Sequence, residues 1–272
     1  MSPGANRTDG ERWTREELRR LRDERYAPDA IRSFLAASTG RAAEVRSARP
    51  ALARQSNAWL GTGAITWSAL AAAGCEPYRR RIVPALAWWA AVAAMLHWHL
   101  GMIETEDGKP TPLGPADALT MTRVWLVPAI ADDLDPQLLA VAAATDVLDG
   151  LVARAGRPTR AGRDLEGLAD AAVLLAALHA AARTRRLARP VIALEAARIL
   201  AGTAYATTIY FAQADAPDPV LTRAARRTTP IRVAGLLAAG AGRRRWGHVL
   251  LVTGSVASFA SLARGARRQR VA

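Results

Sequence analysis

The chain has 272 residues, of which 51% are hydrophobic, and this composition excludes a disordered or fibrous protein. Its single cysteine, Cys75, excludes an internal disulfide and a metal site built from several cysteines. Ala, Leu and Val are concentrated in blocks of roughly 15 to 22 residues, the length of a helix that crosses a bilayer. The net charge of +13 therefore indicates contact with anionic lipid headgroups and not with nucleic acid. We expect an all-α integral membrane protein.

The first 54 residues carry intermixed Arg and Glu and precede the apolar blocks. No apolar stretch lies near their start, so the pattern differs from that of a secretory signal peptide. Apolar residues recur in this segment at helical spacing, for example at Trp13, Leu18 and Leu21. Residues 1–54 are therefore predicted to form a charged helical extension that lies in the cytosol or on the membrane surface.

Two apolar blocks follow at about residues 57–75 and 82–103, and a short turn separates them. Each block is long enough to cross a bilayer, so residues 55–104 are predicted to form an apolar helical hairpin. This segment carries tryptophans that are typical of the belt at a membrane interface, namely Trp88, Trp89 and Trp98. Gly and Pro then concentrate in residues 104–114, which mark the clearest domain boundary in the chain.

Residues 115–265 contain further apolar blocks joined by short loops, which predict a core of six transmembrane helices. The predicted spans are 116–131, 136–154, 163–182, 190–212, 229–241 and 247–264. Residues 266–272 form a basic tail. The arginines near residues 155–162 and in the tail favour a cytosolic position for both segments, although arginines at 79–81, 183–189 and 243–245 then lie on the far side. The sequence thus predicts a multi-pass protein of the cell membrane.

Two neighbouring predicted helices carry carboxylates at helical spacing. Asp146 and Asp149 share one stripe of the first helix, and Glu166 and Asp170 share one stripe of the second. The connection 155–161 contains Gly and Pro, so we expect the helices to be antiparallel neighbours whose acids converge. Acids gathered within a membrane repel one another unless cations lie between them, and Mg²⁺ prefers oxygen ligands of this kind. These residues therefore predict a divalent metal site.

Small residues accompany the acids on both stripes. Gly150 and Ala153 lie on the stripe of the first helix, and Gly162 lies on that of the second. Because Gly150 and Ala153 lack bulk, they leave room beside the metals for a nucleotide or a pyrophosphate to approach the backbone. The stripes therefore predict a phosphate-bearing ligand next to the cations.

The two stripes read D-x2-D-G-x2-A-R and then G-x3-acid-x3-D. This pattern resembles the signature of the CDP-alcohol phosphatidyltransferases, and the resemblance extends over roughly residues 115–265. The upstream segment LTMTR, which ends at Arg123, is similar to the L-T-x-x-R element that opens the first helix of that family. Glu166 stands where the family pattern has Asp, and the connection before Gly162 is one residue shorter than its commonest form.

The resemblance implies a set of site residues. The implied metal ligands, for two Mg²⁺ or Mn²⁺ ions, are Asp146, Asp149, Glu166 and Asp170. Asp170 is also implied as the general base that deprotonates the acceptor hydroxyl. The residues implied for the cytidine diphosphate are Thr120, Gly150, Ala153, Arg154 and Gly162. The implied reaction transfers a phosphoalcohol group, such as phosphatidyl from CDP-diacylglycerol, to an acceptor hydroxyl and releases CMP.

The same resemblance implies partners and a location. The donor is a CDP-linked lipid in phospholipid biosynthesis, the acceptor is a small alcohol or phosphoalcohol, and the enzyme is a homodimer in the bilayer. The active site is expected to face the cytosol. Basic residues near that face favour a phosphorylated acceptor, and they equally suit a rim that contacts anionic lipid: Arg157, Arg160, Arg223, Arg226 and Arg227.

Other interpretations stay open at the level of the sequence. The acids could be solvated at an ordinary loop. Arg123 and Arg198 lie inside predicted spans, where an ionisable residue is a functional candidate, but Glu195 lies one turn from Arg198 and offers a plain ion pair. The alternative function is a non-catalytic membrane protein that retains the fold and binds a partner through its N-terminal region. A transporter would scatter its polar groups through several spans.

Overall fold

The computed structural model describes residues 8–105, 108–156, 159–213 and 227–271. These ranges contain helices and no β-strand; the one extended feature in them is an isolated bridge between Glu104 and Pro110. The prediction of an all-α protein is confirmed.

The N-terminal region contains four α-helices. They are α1 Asp9–Asp23, α2 Pro28–Ala48, α3 Pro50–Ala72 and α4 Ile82–Trp98. Thr8 caps α1 by accepting a hydrogen bond from the backbone N–H of Glu11 at 3.3 Å. Proline occupies the first turn of α2 and of α3, where its missing N–H leaves no helical bond unmade. Capping and proline placement therefore explain where α1, α2 and α3 begin.

Six more α-helices follow in the described ranges. They are α5 Pro115–Asp132, α6 Pro136–Ala155, α7 Arg160–Arg183, α8 Arg189–Thr208, α9 Thr229–Gly240 and α10 Arg244–Val271. Helix α8 continues into a π-helical turn, Ile209–Gln213. That six helices form a transmembrane core stays a prediction.

Contacts divide the chain into two compact units. The first comprises Met1–Ala129 with Ala144–Ala172, and the second comprises Ile130–Ala143 with Val173–Ala272. The first unit contains a buried cluster that draws on α3, the segment after α4, and the first residues of α7: Leu52, Leu100, Ile103, Leu113 and Ala161. All predicted site residues lie in this first unit. The predicted domain boundaries at 55, 105 and 115 stay predictions.

Glu195 is the polar centre of the second unit. Its side chain is 1% exposed and accepts hydrogen bonds from Arg198 at 2.8 Å, Arg232 at 2.7 Å and Ser255 at 2.5 Å. A buried carboxylate with three donors is stable because its desolvation is offset by charge-assisted hydrogen bonds. Arg198 is therefore engaged in the ion pair that its spacing from Glu195 suggested.

Two described helical segments are long and apolar enough to cross a membrane. They are Arg160–Arg183 and Arg244–Ala263, and the shorter helix Ile82–Trp98 is also apolar. Length and composition alone support this assignment. The remaining predicted spans are helical but do not meet the same criterion, so the multi-pass arrangement stays a prediction.

Candidate metal and nucleotide site

Helices α6 and α7 bring three carboxylates together. The ligand oxygens of Asp146, Glu166 and Asp170 all lie within 4.8 Å of one another, and each residue is half-buried. The i, i+4 spacing of Glu166 and Asp170 places both on one face of α7, opposite Asp146 on α6. Three carboxylates at this separation fit the oxygen coordination of one hard divalent cation.

Asp149 has different neighbours from these acids. It is 4% exposed, and among the described residues it is not part of the converging group. Its Oδ2 accepts hydrogen bonds from the Thr120 hydroxyl and from Nη2 of Arg123, the latter at 2.9 Å. Asp149 is therefore held by α5, and its role as a metal ligand stays a prediction.

Arg123 lies between the carboxylates and is 1% exposed. Its Nη2 lies 3.6 Å from Asp146 Oδ1 and 2.9 Å from Asp149 Oδ2, and its Nε lies 3.3 Å from Asp170 Oδ1. A buried guanidinium is stable only beside such partners. Arg123 therefore offsets part of the negative charge that these acids bring together.

Asp117 forms hydrogen bonds at the start of α5, and sequence reasoning did not identify it. Its Oδ2 accepts from the backbone N–H of Gly114 at 2.7 Å, and its Oδ1 accepts from the Thr159 hydroxyl at 3.0 Å. Thr159 also accepts from the backbone N–H of Gly162 at 2.8 Å. A Cβ on Gly162 would collide with the Asp117 carboxylate. Asp117 thus fastens the first turn of α5 to the first turn of α7, and only glycine fits between them.

A comparison with known families now bears on this geometry. The sequence profile of the CDP-alcohol phosphatidyltransferases matches residues 114–259, which is more than half of the chain. The chain belongs to the CDP-alcohol phosphatidyltransferase family. The family implies transfer of a phosphoalcohol group from a CDP-alcohol, and its members are membrane proteins. No curated protein and no solved structure is significantly similar to the chain.

The match contains every site residue that the family signature predicted. Among those predicted for the nucleotide, Thr120 is buried against Asp149, and Arg154 is exposed in the last turn of α6. A Cβ on Gly150 would lie 3.1 Å from Nη1 of Arg154, and Ala153 is half-buried on the same helix. Their contact with a cytidine diphosphate stays a prediction.

The basic residues near the site have varied positions. Arg157, Arg223 and Arg226 lie outside the described residues. Arg160 is buried, forms an ion pair with Glu11 of α1, and donates its backbone N–H to the carbonyl of Glu104 at 3.0 Å. Arg160 therefore ties the start of α7 to the N-terminal region, a contact that the pattern of charges did not predict.

Proposed function

We propose that the chain is a divalent-metal-dependent, multi-pass membrane transferase that moves a phosphatidyl or related phosphoalcohol group from a CDP-linked lipid to a small alcohol or phosphoalcohol. The convergence of Asp146, Glu166 and Asp170 within 4.8 Å carries the proposal. The family match supports the reaction class. The proposal includes phospholipid synthesis as the role, a homodimer as the assembly, a six-helix transmembrane core, and an active site that faces the cytosol.

The carboxylates of α6 and α7 are the proposed holders of Mg²⁺ or Mn²⁺, with two ions shared among Asp146, Asp149, Glu166 and Asp170. When bound, such ions neutralise the charge of a pyrophosphate and of its leaving group. Arg123 already compensates part of the acidic charge at Asp149 and orients that side chain. Asp146, Glu166 and Asp170 are each half-buried, so part of each side chain is accessible from outside the protein.

In the proposed reaction the acceptor hydroxyl oxygen forms a bond to the phosphorus that carries the donor alcohol. The bond between that phosphorus and the oxygen of CMP breaks, and CMP leaves. Asp170 takes the hydroxyl proton, a role that suits a carboxylate whose side chain is partly exposed. Thr120, Gly150, Ala153, Arg154 and Gly162 line the proposed nucleotide site.

The experiment is a CMP-release assay with purified full-length protein in lipid nanodiscs, CDP-diacylglycerol, Mg²⁺ and a panel of acceptor alcohols. We expect CMP from the wild type and none above background from Asp170→Asn. Asp133→Asn, at an exposed carboxylate that pairs with Arg186 inside the second unit, serves as the control and keeps wild-type activity. Near-normal CMP release by Asp170→Asn would refute the base assignment. Absence of CMP from the wild type with every donor and acceptor would favour the non-catalytic alternative.

A further inference from the structure

A proline interrupts the hydrogen-bond ladder of α5 beside the proposed site. Pro128 lies inside the helix and has no N–H, so the carbonyl of Val124 loses the donor that a helix normally supplies. The indole Nε1 of Trp88, on α4, donates to this carbonyl at 2.8 Å. A side chain of the N-terminal region therefore replaces the bond that Pro128 removes.

The next bond of the ladder is also altered. The Tyr78 hydroxyl accepts from the backbone N–H of Ala129 at 3.3 Å and donates to the carbonyl of Trp125 at 2.5 Å. It thus lies between two groups that would bond each other directly in a regular helix. Trp67 of α3 donates its Nε1 to the same carbonyl at 2.9 Å. Burial raises the pKa of the Tyr78 phenol well above its usual range, so the hydroxyl keeps its proton.

Packing around these bonds is close. Gly63 of α3 faces the Trp125 indole so tightly that a Cβ at this position would collide with the ring. The rings of Trp59 and Trp125 lie 6.3 Å apart between centroids, and those of Trp67 and Tyr78 lie 5.4 Å apart. Hydrogen bonds and aromatic contacts therefore fix the helical hairpin α3–α4 against one stretch of α5.

This stretch of α5 directly adjoins the site. Val124 follows Arg123 in the chain, and Thr120 lies one turn earlier on the same helix. Both Arg123 and Thr120 bind Asp149, and Arg123 also lies near Asp146 and Asp170. A shift or rotation of α5 would change all of these contacts together, because the guanidinium and the hydroxyl are carried by one rigid helix.

We propose that Trp67, Tyr78 and Trp88 are positioning residues, which hold the proline-interrupted part of α5 so that Arg123 and Thr120 reach the carboxylates. The inference rests on the proposed function for its effect on catalysis. It gives the N-terminal hairpin, which lies outside the family match, a part in building the site. The hairpin acts on the site through α5 and contributes no catalytic residue.

The test compares Trp88→Phe in the wild-type background and in Pro128→Ala, with the full-length chain in nanodiscs. Amide hydrogen exchange of residues 115–132 and the rate of CMP release are measured on each variant. Trp88→Phe removes the donor to Val124, so we expect exchange in α5 to rise and CMP release to fall, each about threefold to tenfold. In the Pro128→Ala background the new backbone N–H can donate to the Val124 carbonyl. Trp88→Phe in that background therefore changes amide exchange in α5 and CMP release by less than about twofold.

Two further variants make the comparison specific. Trp98→Phe is the matched control, since Trp98 ends the same helix α4 but donates to Thr39 of α2, and it leaves both quantities unchanged. Tyr78→Phe removes only a hydroxyl, and it increases exchange in α5 as Trp88→Phe does. Unchanged exchange in Trp88→Phe, equal losses with and without Pro128, or faster exchange with normal CMP release would each overturn the inference.

The proposed function and the positioning role fail in different ways. If the wild type releases no CMP, the proposed function is refuted. The exchange comparison then decides by itself whether the aromatic donors hold α5, because it needs no substrate.

Discussion

At the scale of single residues, Arg123 is the side chain that contacts most of the site carboxylates. Its guanidinium is 1% exposed and lies within 3.6 Å of Asp146, Asp149 and Asp170. Burial alone would make such a charge costly, and the carboxylates alone would repel one another. The guanidinium and the carboxylates therefore stabilise one another.

We predict that Arg123→Gln destabilises the protein strongly. Removal of the guanidinium leaves the buried Asp149 carboxylate without its charged partner, which costs about 3–5 kcal/mol in the free energy of unfolding. Mg²⁺ should recover part of the loss, since a cation can take over the compensation. The measurement is the thermal unfolding midpoint in nanodiscs with and without Mg²⁺. Arg183→Gln, at a more exposed ion pair with Asp132, should cost about 1 kcal/mol or less; equal losses would contradict the account.

Gly162 gives a second prediction at this scale. A Cβ there would collide with Asp117 and Thr159, so Gly162→Ala should lower the free energy of unfolding by about 1–3 kcal/mol. At Gly167, on the same helix, a Cβ would have no atom of another described segment within 4 Å, and Gly167→Ala should be neutral or stabilising. Thermal unfolding midpoints of the two variants test this. A Gly162→Ala protein as stable as Gly167→Ala would show that α5 and α7 do not approach as described.

The sequence predicts part of this arrangement. Helical spacing places Glu166 and Asp170 on one face, and the Gly- and Pro-containing connection predicts that α6 and α7 are neighbours, so their convergence with Asp146 could be expected. The engagement of Asp149 by Thr120 and Arg123 could not, because it depends on the rotation of α5 against α6. Asp117 gave only a weak signal, three residues before Thr120 on the same helical face.

At the scale of elements, α5 is the helix on which the site and the N-terminal region meet. Apolar blocks predicted the helices, but they did not predict that Trp88 would donate to a helix carbonyl, since tryptophan in an apolar block is typical of a membrane interface. Pro128 was the available signal: an interior proline leaves a carbonyl that needs another donor.

The segment before α5 supplies a further prediction. The Gln55 amide donates to the Leu113 carbonyl at 2.9 Å and accepts from the Leu113 N–H at 2.8 Å. Gln55→Leu leaves the buried N–H and carbonyl of Leu113 without this partner. We expect the free energy of unfolding to fall by about 1–3 kcal/mol. Chemical unfolding in detergent would measure the change. Asn57→Leu, two residues along α3 at an exposed position, should have little effect, and similar losses in both variants would contradict the contact.

At the scale of the whole molecule, the proposed topology places Cys75 outside the cell. It is the last residue of the first predicted span, it follows the end of α3, and it is the only cysteine of the chain. A membrane-impermeant maleimide should therefore label Cys75 in intact cells. In a Cys75→Ser background, Gly156→Cys in the loop between α6 and α7 should be labelled only after permeabilisation. The reverse pattern would contradict a site that faces the cytosol.

The account as a whole depends on whether the acids of α6 and α7 hold a divalent cation. Electron paramagnetic resonance of Mn²⁺ titrated into the full-length protein measures this without any substrate. We predict saturable binding to the wild type that Asp146→Asn and Asp170→Asn each weaken at least about tenfold, while Asp133→Asn binds as the wild type does. Wild-type Mn²⁺ affinity in both site variants would contradict the central claim.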